Sequence, residues 1–210
     1  KHLLQVYPKE NVWQRAPQEE FVRQVRTIDP NVTGTPVQLL EYTTLLKRSY
    51  EEAALYSLAA IAILVFIHFR TLGSVILALL PVGIGSLWLG GVMGWFNIPL
   101  NPANIMMLPL IIGIGVTNGI HILNRFAEEQ TPSILAKSTG KAVLVSGLTT
   151  IAGFGSLALA KHRGIESLGY VMATGVATCM VAGLTSLPAL LNLMMKKRKQ
   201  KKNQPSADNA

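Results

Sequence analysis

Five long apolar stretches fill most of the chain after about Glu52, and they constrain its fold more than any other feature. Crossing about 30 Å of hydrocarbon takes roughly 20 helical residues. The windows Ala53–Phe69, Leu72–Trp95, Ala103–Asn124, Ala142–Leu159 and Leu168–Leu193 are free of Asp and Glu. The first is the shortest, and starting it at Tyr50 completes it. Helices buried in a water-soluble bundle would each carry a polar face. Ile61-Ala-Ile-Leu-Val-Phe-Ile67 and Val75-Ile-Leu-Ala-Leu-Leu80 have none. The expected fold is an all-α polytopic membrane bundle with spans at about 50–69, 72–95, 103–125, 139–160 and 167–195.

Composition agrees: half of the residues are hydrophobic and 14% are charged, with the charges outside the apolar windows. The net charge of +8 would suggest nucleic-acid binding if it were spread over a domain. Instead Lys196-Lys-Arg-Lys199 and Lys201-Lys202 concentrate it directly after the last window, as residues 196–210 form a basic tail. A basic flank beside a span marks the cytoplasmic side and faces anionic lipid. No nucleic-acid partner is expected. Cys179 lies inside the last window as a small packing residue, and one cysteine implies no disulfide framework.

Residues 1–49 are mixed polar and read as the end of a small α/β domain. Leu3–Tyr7 is strand-like and Pro8 ends it. Phe21, Val22 and Val25 give a short amphipathic helix. Asp29-Pro-Asn31 is a turn, Val32–Thr35 a brief strand, and Pro36 suits the first turn of a helix running toward the membrane. The chain opens on Lys1 with neither an initiator Met nor a signal sequence, so a fragment or a processed product is expected.

Short connections make successive helices antiparallel neighbours. The longest runs from Arg125 to Lys141, where Pro132 is expected to begin a short interfacial helix. With the tail cytoplasmic, Arg70, Arg125, Lys137 and Lys141 share its side, and Lys47, Arg48, Lys161 and Arg163 lie opposite. That distribution obeys the positive-inside rule.

Small residues recur every four positions: Gly90/Gly94, Gly115/Gly119, Gly169/Ala173/Ala177 and Gly175/Cys179/Gly183. Such stripes let helix backbones approach closely in lipid, and the same smooth faces would serve sliding or rocking. Gly113, Gly115, Gly119 and Gly153 are candidates for helix packing or gating. The third span also carries Thr117, Asn118, His121 and Asn124 at helical spacing, followed by Arg125. Ser146, Thr149 and Thr150 give the fourth span a second polar stripe, with Gly153 one turn on. Polar groups at that depth face protein or a hydrated path. Two readings stand: the stripes bridge helices, or they line an ion-coupling or gating centre.

Other chemistries fit poorly. His2, His68, His121 and His162 are scattered, so no metal set is expected, and no cofactor. His121 could exchange a proton near neutral pH. Gly113-Ile-Gly-Val lacks the Lys-Ser/Thr of a phosphate loop and lies inside an apolar span. Ser146 and Ser156 read as helix-bonding hydroxyls, with no nucleophile–base pair, so no enzyme is expected.

The order of these parts resembles the C-terminal half of a resistance-nodulation-division (RND) superfamily exporter of the MMPL-like branch. The parts are an extracytoplasmic piece, five spans, Gly-Ile-Gly-Val-x-x-Gly in the third, a Pro-bearing loop, a Ser/Thr-rich fourth and a basic tail. Asp29-Pro-Asn-Val-Thr-Gly-Thr-Pro36 is similar to the end of the porter domain in the hopanoid-transporter group. The resemblance implies a proton-driven, twelve-span exporter of hydrophobic or lipid cargo, possessing two similar halves, of which this chain would hold spans eight to twelve. It implies a bacterial inner membrane, a periplasmic N-terminal segment, a cytoplasmic tail, and an N-terminal half, membrane lipids and lipid cargo as partners. Monomeric, twofold and threefold assemblies are all compatible with it. Lipid-exporting relatives often carry Asp directly after Gly-Ile-Gly-Val, where this chain has Thr117 and Asn118. The resemblance therefore implies that Thr117, Asn118 and His121 hydrogen-bond to, or tune, an acid in the other half. The alternative within this fold is a non-transporting interaction module, sterol-sensing or protein-export-like.

Overall fold

The computed structural model describes residues 4–129 and 138–202. The interfacial helix expected at Pro132 lies outside them. Among the described residues there are six α-helices and one 3-10 turn: α1 (Arg15–Ile28), α2 (Thr35–Phe69), α3 (Leu72–Trp95), α4 (Met107–Glu129), α5 (Ser138–Gly155), η1 (Ser156–Leu159) and α6 (Arg163–Lys202). Five helical segments are long and apolar enough to cross a membrane: Thr35–Phe69, Leu72–Trp95, Met107–Glu129, Gly140–Leu159 and Arg163–Lys196.

The chain divides into two compact units, residues 1–51 and 52–210. In the first, the expected α/β character is not found: no strand occurs among its described residues, which are helix, turn and irregular chain. Leu4, Val6 and Tyr7 are exposed, with no neighbouring strand to accept a ladder. A strand is stable only when its backbone groups and one face find partners. Val32-Thr-Gly34 likewise forms an irregular link, and Gly34 takes φ +143°, a conformation that L side chains rarely adopt. What orders this unit is α1 against the start of α2. Val12, Val22 and Val37 are buried. Gln18 Nε2 donates to Pro36 O at 2.9 Å. The Arg15 guanidinium donates to the Thr43 and Thr44 hydroxyls at 3.1 and 2.9 Å, and Arg26 pairs with Glu41 at 2.8 Å.

The second unit is built around α6, which packs on α3, α4 and α5. Met172, Cys179, Ala182 and Leu187 on α6 are fully buried. One core cluster joins Leu77, Ala78, Val116, Ile122 and Leu187; another joins Leu89, Met93, Ile111, Met172, Val176 and Cys179. Pro81 and Pro188 stand inside α3 and α6, each removing one helical hydrogen bond. The helix ends follow local chemistry. At the end of α3, Ile98 N–H donates to Met93 O and Asn97 N–H to Gly94 O, with Asn97 at φ +51°. This is the paired-bond cap that closes helices through a left-handed residue. Helix α2 ends similarly at Arg70, whose N–H donates to Phe66 O at φ +53°.

Candidate functional site: a polar cleft between α4 and α5

Helix α4 must bury one stripe against α3 and α6, and its glycines decide which. A Cβ on Gly119 would stand 2.6 Å from Ala78 O, and one on Gly115 2.8 Å from Val82 Cγ2 and 3.2 Å from Cys179 Cβ. Those contacts turn Gly115, Gly119 and Ile122 inward, which rotates Thr117, His121, Asn124 and Arg125 toward α5. Between the two helices lies a cavity of about 530 Å³. Thr117, Asn118, His121, Asn124, Arg125 and Glu128 line it from α4, and Ser146 lines it from α5 beside Ala142 and Val143.

The polar atoms are satisfied unevenly. Thr117 Oγ1 donates to Gly113 O at 2.9 Å. Thr149 and Thr150 donate to Ser146 O at 2.8 and 2.9 Å, so both hydroxyls are spent on their own helix, and neither lines the cavity. Arg125 Nη1 donates to Glu128 at 3.1 Å, and Nη2 pairs with Glu129. Among the described residues, the buried donors Asn118 Nδ2 and Arg125 Nε find no acceptor. Asn118 is only 5% exposed. A buried donor without an acceptor costs about 1–3 kcal/mol, so this cleft is built to meet water or another polar group.

Of the residues singled out from the sequence, Thr117, Asn118, His121, Asn124 and Ser146 come together in the cleft, while Thr149 and Thr150 do not. Gly115 and Gly119 sit at tight helix crossings, whereas a Cβ on Gly113 or Gly153 would meet nothing within 4 Å. Gly113 instead borders a second cavity, of about 340 Å³, between α2 and α4. Sequence reasoning missed Glu128, one turn past the apolar window, and His68, whose Nε2 lies 3.1 Å from Asn124 Oδ1. It also missed Gly85, against which Cys179 packs. Helical spacing from Asn124 would have found Glu128. Nothing in sequence ties His68 to a residue 56 positions away. Among the described residues no group of three metal-ligating side chains occurs.

Known proteins place this architecture. The model of the MMPL family matches residues 15–207. The chain is 38% identical over 167 residues to the putative membrane protein MJ1562 of Methanocaldococcus jannaschii, covering 76% of this chain and 43% of that protein. It is 33% identical over 172 residues to the hopanoid transporter HpnN of Rhodopseudomonas palustris, covering 82% of this chain and 20% of that protein. It is 29% identical over 164 residues to the probable trehalose monomycolate exporter MmpL3 of Mycobacterium leprae, covering 71% and 16%. The chain thus spans less than half the length of these relatives. With five helices among the described residues long and apolar enough to cross a membrane and a family match over nearly its whole length, this chain is a membrane protein of the RND superfamily and belongs to the MMPL family.

Proposed function

We propose that this chain is the C-terminal membrane part of a proton-driven exporter of hydrophobic or lipid-like molecules, with hopanoids moved toward the outer membrane as the cargo to test first. The single observation that carries this reading is the buried Asn118 Nδ2, which finds no acceptor among the described residues and lines a polar cleft within an apolar helix. Burying an amide there without a partner is unfavourable, and a helix that only had to pack would carry an apolar residue instead. Relatives named as a hopanoid transporter and a probable trehalose monomycolate exporter supply the cargo class. In this reading an acid from the N-terminal half meets Asn118, with Thr117 and His121 beside it. Glu128 and the Arg125 pair stand at the cytoplasmic mouth. A proton falling through 100 mV gains about 2.3 kcal/mol, the electrical drive for one step between two states. The protein sits in the bacterial inner membrane with its N-terminal segment periplasmic and its tail cytoplasmic.

The test uses full-length protein in proteoliposomes under an imposed proton gradient, following transfer of a fluorescent hopanoid and proton uptake by an internal dye. Asn118→Ala and His121→Ala are each expected to lower both fluxes about tenfold, the change that about 1.4 kcal/mol of lost stabilisation produces. Thr149→Ala should stay within about twofold of wild type, because its hydroxyl is bonded within its own helix. Wild-type flux in both Asn118→Ala and His121→Ala would remove the cleft from the mechanism.

A further inference from the structure

The membrane part of α2 is held to the bundle by little. Val65 is its buried anchor, with Ile61 and Phe69 packed beside it on the same stripe. Leu55, Tyr56, Ile63, Leu64 and Ile67 are all exposed. Between α2 and α4 lies the cavity of about 340 Å³, bordered by Leu64 and Val65 on one side and by Gly113, Val116 and Thr117 on the other. Across this loose contact runs a polar interaction, His68 Nε2 to Asn124 Oδ1 at 3.1 Å. With Oδ1 as acceptor, Nε2 carries the hydrogen. The imidazole is further set by an edge-on contact with Phe69, ring centroids 4.6 Å apart.

Asn124 belongs to both cavities, as does Thr117. The bond therefore ends on a residue that lines the polar cleft facing α5 as well as the cavity facing α2. An imidazole on a helix side otherwise covered by Leu, Ile and Phe gains from a partner that hydrocarbon cannot supply.

We infer that His68 is a positioning residue, pinning α2 to the polar face of α4 through Asn124 and fixing how Asn124 is presented to the cleft. This inference rests on the proposed transport function only for its effect on flux; the pin itself stands on geometry. It acts as a hydrogen-bond donor. Glutamine places its Nε2 the same number of bonds from Cβ and can replace it, whereas alanine cannot. Interhelical hydrogen bonds in membranes are modest individually, so losing this one should change the occupancy of the docked arrangement about threefold to tenfold.

The experiment uses full-length protein in nanodiscs, with spin labels at the exposed positions Ile67 on α2 and Ala127 on α4. His68→Ala and Asn124→Ala should each broaden the distance distribution, His68→Gln should restore the wild-type one, and His68→Ala/Asn124→Ala should be no broader than either single variant. In proteoliposomes His68→Ala should lower proton uptake about threefold to tenfold and His68→Gln should recover most of it. An unchanged distance distribution in His68→Ala would overturn the inference, and so would a His68→Gln variant as impaired as His68→Ala. If wild-type protein moves neither protons nor hopanoid, the transport reading fails, and the distance measurements still decide whether the pin exists.

Discussion

Gly85→Ala is expected to destabilise the protein more than alanine at any of the exposed-face glycines, by about 3 kcal/mol, the upper part of the range for overpacked cores. The added Cβ would lie 2.5 Å from Cys179 Sγ, 2.6 Å from Cys179 Cα and 2.8 Å from Cys179 N. Two of those three atoms are the backbone of α6, which cannot rotate away as a side chain can. Relief requires α3 to move off α6, and that opens the contacts around Leu89, Met172 and Val176. Cys179→Gly would not rescue it, since the backbone obstacle remains. Gly119→Ala should behave similarly, because its obstacle is the Ala78 carbonyl.

Gly147 makes the comparison sharper. A Cβ there meets Met180 Sδ and Cγ, the far end of a flexible side chain, so Gly147→Ala should cost about 1 kcal/mol as the thioether swings aside. At Gly90 and Gly153 nothing lies within 4 Å. Alanine there should be neutral or stabilising by up to about 1 kcal/mol, its helix propensity being better than glycine's. Unfolding of the full-length protein in mixed micelles with increasing SDS measures all five. Gly85→Ala unfolding within 0.5 kcal/mol of Gly90→Ala, a difference near the usual scatter of surface substitutions, would mean that the α3–α6 crossing is looser than its geometry indicates.

How much of this was legible in the sequence differs from element to element. Helix α3 has the same bounds as the apolar window Leu72–Trp95, because Arg70 and Thr71 precede it and Asn97-Ile-Pro99 follows. The third span was expected from about 103 but begins at Met107, because Asn101 turns the chain first. Its side-chain oxygen accepts the N–H groups of Ala103 and Asn104, both at 2.9 Å, competing with the helix as Asn does. Leu4–Tyr7 has the composition of a strand and no partner to make it one. In the cleft, helical spacing groups Thr117, Asn118, His121 and Asn124, and these four line the cavity from α4. On α5 spacing was insufficient: Ser146, Thr149 and Thr150 all read as polar. Only packing reveals that Val143 and Gly147 turn inward and leave Ser146 at the cleft. Gly85 carried no signal at all, because its reason is the backbone of α6, which lies more than ninety positions along the chain.

Asn104→Ala is the second substitution expected to have a large effect, about 2–4 kcal/mol. Asn104 is fully buried in the α3–α4 connection, and its side chain uses both ends. Nδ2 donates to Pro99 O at 2.9 Å and to Ser167 Oγ at 2.8 Å, while Oδ1 accepts from Asn101 N–H at 2.9 Å. Alanine would leave the Pro99 carbonyl, the Asn101 amide and one side of the Ser167 hydroxyl without this partner. Each hydrogen bond lost costs about 0.5–1.5 kcal/mol. Ser167 would keep its second donor, Asn101 Nδ2 at 2.9 Å, so Ser167→Ala should cost less, about 1 kcal/mol. Asn104→Asp should be at least as damaging as alanine. It preserves the acceptor for Asn101 but sets a carboxylate oxygen against the Pro99 carbonyl, where a donor is needed. Since Asn104 and Asn101 both reach Ser167 at the start of α6, the loss should also appear locally, as faster amide exchange at Asn101 and Ile105, whose N–H donates to Asn101 O. Asn104→Ala with unchanged stability and unchanged exchange at those two amides would show that apolar packing alone holds the connection to α6.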